Sequence, residues 1–186
     1  MADVLEMKQA HKTLKSWSYN WKPLERGYTD KTLYINLGDL EIREKPVPPM
    51  MKQKFIGGKG YGLRLLWDAT TPQTKWDDPE NEINISSGPI GGITQYSGTG
   101  KSICVSISPQ TDIPIDSNVG GHFGPFLKFS GFDALEIQGK ADQDVIILID
   151  GVNHKVEVFE APLEPIDSHH LAETLHEMYS DDEKDR

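Results

Sequence analysis

The chain has 186 residues, with 17 glycines, 12 prolines and one cysteine, and its formal net charge at pH 7 is −10. This length suits one domain with an extension, and a single cysteine excludes an internal disulfide framework and a cysteine-only metal cluster. The negative charge argues against nucleic acid or an anionic membrane surface as the main partner. We find no apolar run of membrane-spanning length and no signal-peptide core in the first residues, so we expect a cytoplasmic protein.

The first predicted element is a short amphipathic arm over residues 4–17. Four apolar residues recur there at roughly helical spacing: Met7, Ala10, Leu14 and Trp17. This spacing predicts a helix, which is either a frayed surface segment or a partner-binding one. Further on, residues 32–37 and 40–45 alternate in polarity on either side of the turn pair Gly38–Asp39, which predicts a β-hairpin.

The middle of the chain alternates glycine-rich turns with short elements. "KPVPPMM" is expected to break regular structure, and "FIGGKGYGLRLLWDA" predicts a short helix entered through a glycine-rich turn. "INISSGPI" predicts a strand that runs into a turn. "KSICVSISP" is the clearest strand, because its alternation places Ile103, Val105 and Ile107 on one face and Cys104 on the other.

The last part of the chain predicts three more strands and a helix. "ALEIQGKA" and "VIILIDG" predict two strands separated by a short turn, and "KVEVFEA" predicts a third that pairs back on the second. Asp167 or Ser168 can cap the final helix. One face of that helix is apolar and holds Leu171, Leu175, Met178 and Tyr179.

This order of elements defines the expected fold class and domain organisation. Mostly strands, with short helices inserted and one helix at the end, predict an α+β domain dominated by antiparallel sheet. We expect an N-terminal extension over residues 1–28, the domain itself over residues 29–180 and a solvated acidic tail over residues 181–186.

"GTGKS" at residues 98–102 invites a nucleotide-binding interpretation. The phosphate-binding loop requires a first glycine five residues before Gly100, where the chain has Gln95, and a helix after the lysine. The residues after Lys101 predict a strand instead. We therefore reject an ATP or GTP site, although the segment still places a lysine beside flexible backbone.

No other side-chain pattern predicts chemistry. His169, His170 and His176 lack the i, i+4 spacing of a zinc helix, so we expect surface histidines. The acidic residues are scattered, and no pair can be assigned as a general acid and base. The sequence therefore predicts no catalytic residue in this chain.

"SNVGGHFG" at residues 117–124 is the strongest candidate binding segment. Adjacent glycines let a ligand approach main-chain N–H groups directly, and a short helix is predicted to follow. The segment therefore predicts an anion site built from backbone. His122 lies inside it and is either a ligand contact or a surface side chain.

The stretch from "SGPIGG" through "SGTGKSICVSISP" and "SNVGGHFGPFLKFSGFDALEIQGKA" resembles the N-terminal domain of the tungsten-containing aldehyde:ferredoxin oxidoreductases. The order and spacing of its motifs match that family over roughly residues 30–160. In that family the domain is a base beneath a tungsten bis-pterin cofactor, whose phosphates are bridged by a magnesium ion. The resemblance therefore implies that the predicted anion is a pterin phosphate.

The resemblance also implies which residues bind. The main-chain carbonyl of Asn118 would bind the magnesium ion. The main chain of Val119, Gly120 and Gly121 would contact the pterin or its phosphate. The family's arginine before the Ser-Pro strand corresponds to Lys101, which keeps the charge but loses the bidentate geometry. The chain would hold the cofactor, and the cofactor would carry the chemistry.

The resemblance covers only the N-terminal part of the family's enzymes, whose chains are several times longer. Their [4Fe–4S] cysteines lie in later domains, and Cys104 alone cannot replace them. We therefore expect a small subunit that completes its site with a larger chain carrying the iron–sulfur cluster, which exchanges electrons with ferredoxin or a similar carrier. The other possibility is a fragment of a longer chain, although the first methionine and the acidic tail favour a subunit.

Two functions remain open at this point. The first is a cofactor-holding subunit of a tungsten or molybdenum oxidoreductase that acts on aldehydes, carboxylic acids or aryl-CoA substrates. The second is a non-catalytic scaffold or assembly subunit that has kept the fold and binds no metal cofactor. The sequence identifies neither the substrate nor the metal.

Overall fold

The structure is a computed structural model that describes residues 11–161 and 167–180. The strands within these ranges are β1 (Thr13–Ser18), β2 (Lys31–Asn36), β3 (Glu41–Pro46), β4 (Ile83–Ser86), β5 (Ser102–Ile107), β6 (Pro114–Val119), β7 (Ala134–Gln138), β8 (Val145–Asp150) and β9 (Lys155–Glu160). The helices are α1 (Pro49–Phe55), α2 (Lys59–Ala69), α3 (Phe123–Phe129) and α4 (Ser168–Tyr179). None of these helices is long and apolar enough to cross a membrane.

The strands form two sheets. The larger has six strands in the order β3-β2-β7-β4-β5-β6, and the smaller has three in the order β1-β9-β8. Every pair is antiparallel except β2 with β7, which is parallel. The structure therefore confirms the α+β fold with mainly antiparallel sheet, short inserted helices and a C-terminal helix.

One face of the six-stranded sheet packs against the three-stranded sheet. Because strand residues alternate between faces, Leu33 and Ile35 of β2 point toward this layer together with Leu135 of β7. They meet Val156 and Val158 of β9 in the main apolar cluster. This sandwich is the hydrophobic core of the domain.

The opposite face of the six-stranded sheet is covered by α1 and α2. Tyr61 and Leu65 of α2 pack near β7, and Leu66 packs on β5. Gly62 allows α2 to approach this closely, because a Cβ at that position would lie 2.5 Å from Val105 Cγ2. Helix α2 thus sits directly on the strands that lead to the sheet edge β5–β6.

Two local predictions need correction. Residues 13–17 of the expected helical arm lie in β1, which pairs with β9 along its length, while residues 1–10 lie outside the described part of the chain. "KPVPPMM" does not simply break regular structure, because α1 begins at Pro49. Proline suits that first helical position, since its missing N–H would be unpaired there in any case.

The other predicted elements are confirmed, including the hairpin β2–β3, the strand β5 and the C-terminal helix. Helix α4 begins as predicted, because the Asp167 carboxylate accepts hydrogen bonds from the N–H groups of His169 and His170, each at 2.9 Å. These bonds, together with a ring nitrogen of His170 2.8 Å from the carboxylate, lower the pKa of Asp167.

Candidate functional site

The candidate site lies at the β6 edge of the six-stranded sheet. Strands β5 and β6 are antiparallel, and their register pairs Ser102 with Val119 and Ile103 with Asn118. Lys101 immediately precedes β5, so the pairing leads it to the same end of the sheet as Gly120. Two segments far apart in sequence, residues 98–101 and 118–121, therefore form one surface, which we call the glycine edge.

The two segments of the glycine edge touch through their backbones. A Cβ on Gly100 would lie 2.3 Å from the carbonyl oxygen of Gly121, so only glycine fits at position 100 without moving the chain. Gly121 has φ +95, in the left-handed region that favours glycine. These two glycines are thus explained by the fold itself.

Gly120 differs from its neighbours because the fold does not require it. No atom of the described residues lies within 4 Å of a Cβ placed there, and its φ is outside the left-handed region. Gly120 and Gly121 are exposed, as are Lys101 and Asn118, while Val119 is half-buried. The glycine edge therefore presents open main chain on its outer side, with a lysine beside it.

Asn118 lies inside strand β6, whereas the resemblance led us to expect it in a turn. Its ladder partner is Ile103, so its side chain is on the α2 face of the sheet, together with that of Asp116. Lys59 of α2 pairs with Asp116 at 2.6 Å. This ion pair ties α2 to the strand that carries Asn118.

The predicted helix after the glycines is present but short. Helix α3 has seven residues, and His122 stands before it without donating or accepting a side-chain capping bond. The ring of His122 instead stacks on Phe126 with centroids 5.7 Å apart. So short a helix is a weak source of anion binding, so the candidate site rests on the glycine backbone and Lys101.

Helix α3 has one buried cation. The Lys128 side chain is only 2% exposed, and its ammonium donates to the carbonyl oxygen of Gly88 in the loop after β4. Burial lowers the pKa of Lys128. The N–H of Gly92, in the same loop, donates to the carbonyl of Thr99 at 3.0 Å. Lys128 therefore supports, through this loop, the first segment of the glycine edge.

Comparison with known proteins identifies the family. The family model for the N-terminal domain of aldehyde ferredoxin oxidoreductase matches residues 32–185, which include both segments of the glycine edge. The chain belongs to this family. The resemblance deduced from "SNVGGHFG" and its surroundings is thereby confirmed.

Curated relatives show the same kinship and its extent. The tungsten-containing aldehyde ferredoxin oxidoreductase of Pyrococcus horikoshii is 36% identical over 135 residues, which are 73% of this chain and 22% of the relative. The aliphatic sulfonate oxidoreductase WOR-like subunit of Pyrococcus furiosus is 33% identical over 137 residues, 72% of this chain and 21% of that one. The chain thus spans about a fifth of the length of these relatives.

A solved structure shares the fold. The active-site complex BamBC of benzoyl coenzyme A reductase, in complex with 1,5-dienoyl-CoA, superposes with a TM-score of 0.76 and 28% sequence identity. The match covers 81% of this chain and 23% of that one. In these three oxidoreductases, the region that matches this chain is a small part of a longer chain.

The structure brings together the residues that the sequence singled out, namely Lys101, Asn118, Val119, Gly120 and Gly121. His169 and His170 are exposed on α4, whose Tyr179 ring lies 5.8 Å from that of Phe159 in β9. The described residues include no cluster of three or more His, Cys, Asp or Glu suited to a metal. Sequence reasoning missed Lys128. A lysine within the apolar run "PFLKFSGF" was the available signal.

Proposed function

We propose that this chain is a cofactor-holding subunit of a tungsten or molybdenum bis-pterin oxidoreductase. The observation that carries the proposal is the open main chain at Gly120, beside Lys101, in a member of the aldehyde ferredoxin oxidoreductase family. Neither packing nor backbone conformation requires glycine at position 120. A ligand that lies against the backbone would account for it.

The residues present fit such a group. Gly120 and Gly121 leave space for a phosphate to approach backbone N–H groups, and the exposed Lys101 supplies a cation in a chain of net charge −10. The main-chain carbonyl of Asn118 is a hard oxygen donor of the kind that magnesium prefers. When bound, the metallopterin would supply the redox chemistry, while the chain would position it and screen it from water.

A larger partner chain completes this proposal. The chain spans 22% of its Pyrococcus horikoshii relative. In the proposed enzyme, a second and larger polypeptide encloses the cofactor and carries a [4Fe–4S] cluster. Ferredoxin or a similar carrier would then exchange electrons with that cluster. The substrate class would be aldehydes and carboxylic acids, or aryl-CoA compounds.

Exposed aromatic side chains support a partner on α3. Phe123, Phe126 and Phe129 are 40%, 54% and 45% exposed, and they recur every three residues along one helix. An apolar cavity of about 420 Å³ opens beside the first two, lined by Phe123 and Phe126 together with Ile85 and Ile147. Contiguous apolar surface of this kind is typical of interfaces between protein chains.

The test is the variant Gly120→Val, purified together with the chains that accompany it. A Cβ at this position meets no atom of the described residues beyond its chain neighbours, so we expect the variant to fold and to lose most of its bound pterin and tungsten or molybdenum. Metal analysis and fluorescence of the released pterin measure that loss. Retention of full metal and pterin in Gly120→Val would refute the placement.

Two control variants sharpen this test. Gly88→Val adds the same atoms at another glycine whose Cβ would face open space, so it should leave cofactor content unchanged. Asn118→Ala should lower the metal content only slightly, because the proposed ligand is a carbonyl that alanine also has. A complete loss of metal in Asn118→Ala would instead assign the binding to the side chain.

The alternative function is a scaffold or assembly subunit that binds no metal. The lysine in place of the family's arginine is the feature that favours it, since lysine cannot bind a phosphate through two parallel donors. If the complex purified under anaerobic conditions contains iron but no tungsten, molybdenum or pterin, the scaffold function replaces the proposed one.

A further inference from the structure

A buried polar cluster lies between the six-stranded sheet and α2, beside the apolar contacts of that helix and outside the glycine edge. Glu82, Asn84 and Glu136 are each 0% exposed within this cluster. A carboxyl group removed from water needs either donors that satisfy its charge or a bound proton. The two glutamates, which we call the buried carboxyl pair, meet this need in different ways.

Glu136 is satisfied by protein donors. The hydroxyl of Thr32 donates to its Oε1, and the ammonium of Lys45 donates to its Oε2. Both donors come from neighbouring strands, β2 and β3, that lie on the same side of β7. One cation and one hydroxyl thus give each oxygen of Glu136 a hydrogen-bond donor.

Glu82 has no such set of donors. Its Oε1 accepts from the side-chain amide of Asn84 at 3.2 Å, while its Oε2 has no hydrogen-bond partner among the described residues. Glu82 lies two residues before Asn84, which pairs directly with Glu136 across the strands, so all three share one face of the sheet. Burial, and then the negative charge of Glu136, raise the pKa of Glu82 to about 8.

Within the part of the chain that the structure describes, Lys45 is the one cation that acts on Glu82. Glu136 from β7 and Lys45 from β3 act on it electrostatically, and Lys45 is already bonded to Glu136. Strand β5 has the sequence SICVSI and brings no charged residue. Helix α2 presents Tyr61, whose buried hydroxyl stays neutral because burial raises its pKa. The charged residues of α2, Lys59, Arg64 and Asp68, are engaged in ion pairs elsewhere.

We propose that Glu82 is a buried proton site: it holds a proton at neutral pH and donates it from Oε2 to the Glu136 carboxylate, so that α2 packs over a pair with one negative charge. The proton turns the partnerless Oε2 into a donor aimed at the adjacent acceptor. Loss of this proton would leave two negative charges and one ammonium beneath α2.

The position of the pair gives its protonation a consequence for the rest of the domain. Asn84, which donates to Glu82, also donates to the Gly62 carbonyl of α2 at 3.0 Å. The same helix is bonded to β4 through Ser86, whose hydroxyl donates to the Gly58 carbonyl at 2.7 Å, and to β6 through Lys59 and Asp116. Deprotonation of Glu82 is therefore expected to weaken the contact of α2 with the strands that form the glycine edge.

The sign of the pH dependence follows from the raised pKa. Between the ordinary pKa of 4.5 and about 8, Glu82 binds a proton in the folded chain and has lost it in the unfolded chain. Folding then takes up one proton, so the unfolding equilibrium constant rises about tenfold for each unit of increasing pH in this window. The contribution of Glu82 is constant below and above the window.

The experiment compares the full 186-residue chain with Glu82→Gln in denaturant unfolding at pH 5 to 8. Glutamine keeps the shape and a donor toward Glu136 but does not titrate. We expect the ratio of the two unfolding constants, native sequence over variant, to rise about tenfold per pH unit. Glu80→Gln, which changes an exposed carboxylate two residues away, should give a ratio independent of pH.

A second measurement keeps the proposal testable if Glu82→Gln fails to fold. Infrared titration of the native chain should show the carbonyl band of a protonated carboxylic acid that disappears near pH 8. Parallel pH curves for the native chain and Glu82→Gln, or the absence of that band at pH 7, would overturn the proposal. So would stabilisation by K⁺, Ca²⁺ or Mg²⁺ that Glu82→Gln abolishes, since the site would then hold a metal ion. Each readout is independent of cofactor content, so it can fail while the proposed function stands.

Discussion

The two faces of the six-stranded sheet are built on opposite principles, although the same strands form both. Thr32 and Leu33 are neighbours in β2, and both are almost wholly buried. Leu33 points into the apolar sandwich with β9, whereas Thr32 points toward the layer below α2 and donates to Glu136. A shift of one residue along the strand thus exchanges hydrocarbon packing for a polar network.

The difference between the two faces shows which interactions stabilise each of them. The apolar face is stabilised by area removed from water, which is non-directional and tolerates small shifts. On the polar face each buried donor or acceptor needs a hydrogen-bond partner. The loss of one donor therefore leaves a carboxylate buried without compensation for its desolvation. The apolar sandwich therefore supplies stability, while the polar cluster adds a few specific bonds to the apolar contacts that hold α2 on the sheet.

The largest effect is expected on the apolar face, from Leu33→Ala. Leu33 is 0% exposed within the main cluster, and its truncation leaves a cavity between two sheets that cannot close around it. The free energy of unfolding should fall by about 3 kcal/mol, at any pH between 5 and 8. Urea denaturation followed by circular dichroism measures this change. A loss below about 1 kcal/mol would mean that the sandwich is not the main source of stability.

A somewhat smaller effect is expected on the polar face, from Lys45→Met. The methionine keeps the apolar stem but removes the one cation bonded to Glu136, which keeps the Thr32 hydroxyl and the proposed Glu82 proton as donors. Because the Lys45 side chain is 31% exposed, water replaces part of its contribution, and we expect a loss of about 2 kcal/mol. Chemical denaturation at pH 7 measures it, and Lys75→Met, an exposed lysine, serves as the control.

The double variant Lys45→Met with Glu136→Leu distinguishes charge from packing. Removing both partners of a buried ion pair is often neutral, whereas removing one is costly. We therefore expect the double variant to recover at least half of the stability that Lys45→Met loses. If the two changes simply add, the loss in Lys45→Met does not come from leaving Glu136 unpaired, and the contrast between the two faces is weaker than the contacts indicate.

Much of the fold was predictable because residues close together in sequence, such as turn pairs and helix caps, determine many of its elements. Alternation around Gly38–Asp39 predicts the hairpin β2–β3, and Asp167 predicts the start of α4. The helix predicted over residues 4–17 was wrong for β1, because apolar residues three to four positions apart in a short window fit a helix. The strand forms because it pairs with β9, which lies in a distant part of the chain. The parallel pairing of β2 with β7 could not be predicted from local sequence patterns either, because the two strands are far apart in the chain.

The buried carboxyl pair could not be predicted for a related reason. In "NEINIS" the polar residues Glu82, Asn84 and Ser86 alternate with isoleucines, and such alternation ordinarily marks a solvent-facing side of an antiparallel sheet. Helix α2 covers that side instead. The glycine edge was predictable as a segment, but the open space at Gly120 and the contact between Gly100 and Gly121 required the structure.

The smallest effect, and the sharpest test of the contrast, is expected from Thr32→Val. Valine has nearly the same shape, so the change removes only the hydroxyl that donates to Glu136 Oε1, in a residue that is 2% exposed. A hydrogen bond to a charged group of this kind contributes about 1.5–2 kcal/mol. Urea denaturation should therefore place Thr32→Val between the exposed control Thr111→Val, with no loss, and its strand neighbour Leu33→Ala.

Valine also improves strand packing. A Thr32→Val chain as stable as the native one would therefore be informative only beside the double variant of Lys45 and Glu136. If that double variant has recovered, an unchanged Thr32→Val shows that Glu136 is satisfied without the Thr32 hydroxyl, and the hydroxyl is then no part of what holds α2 on the sheet.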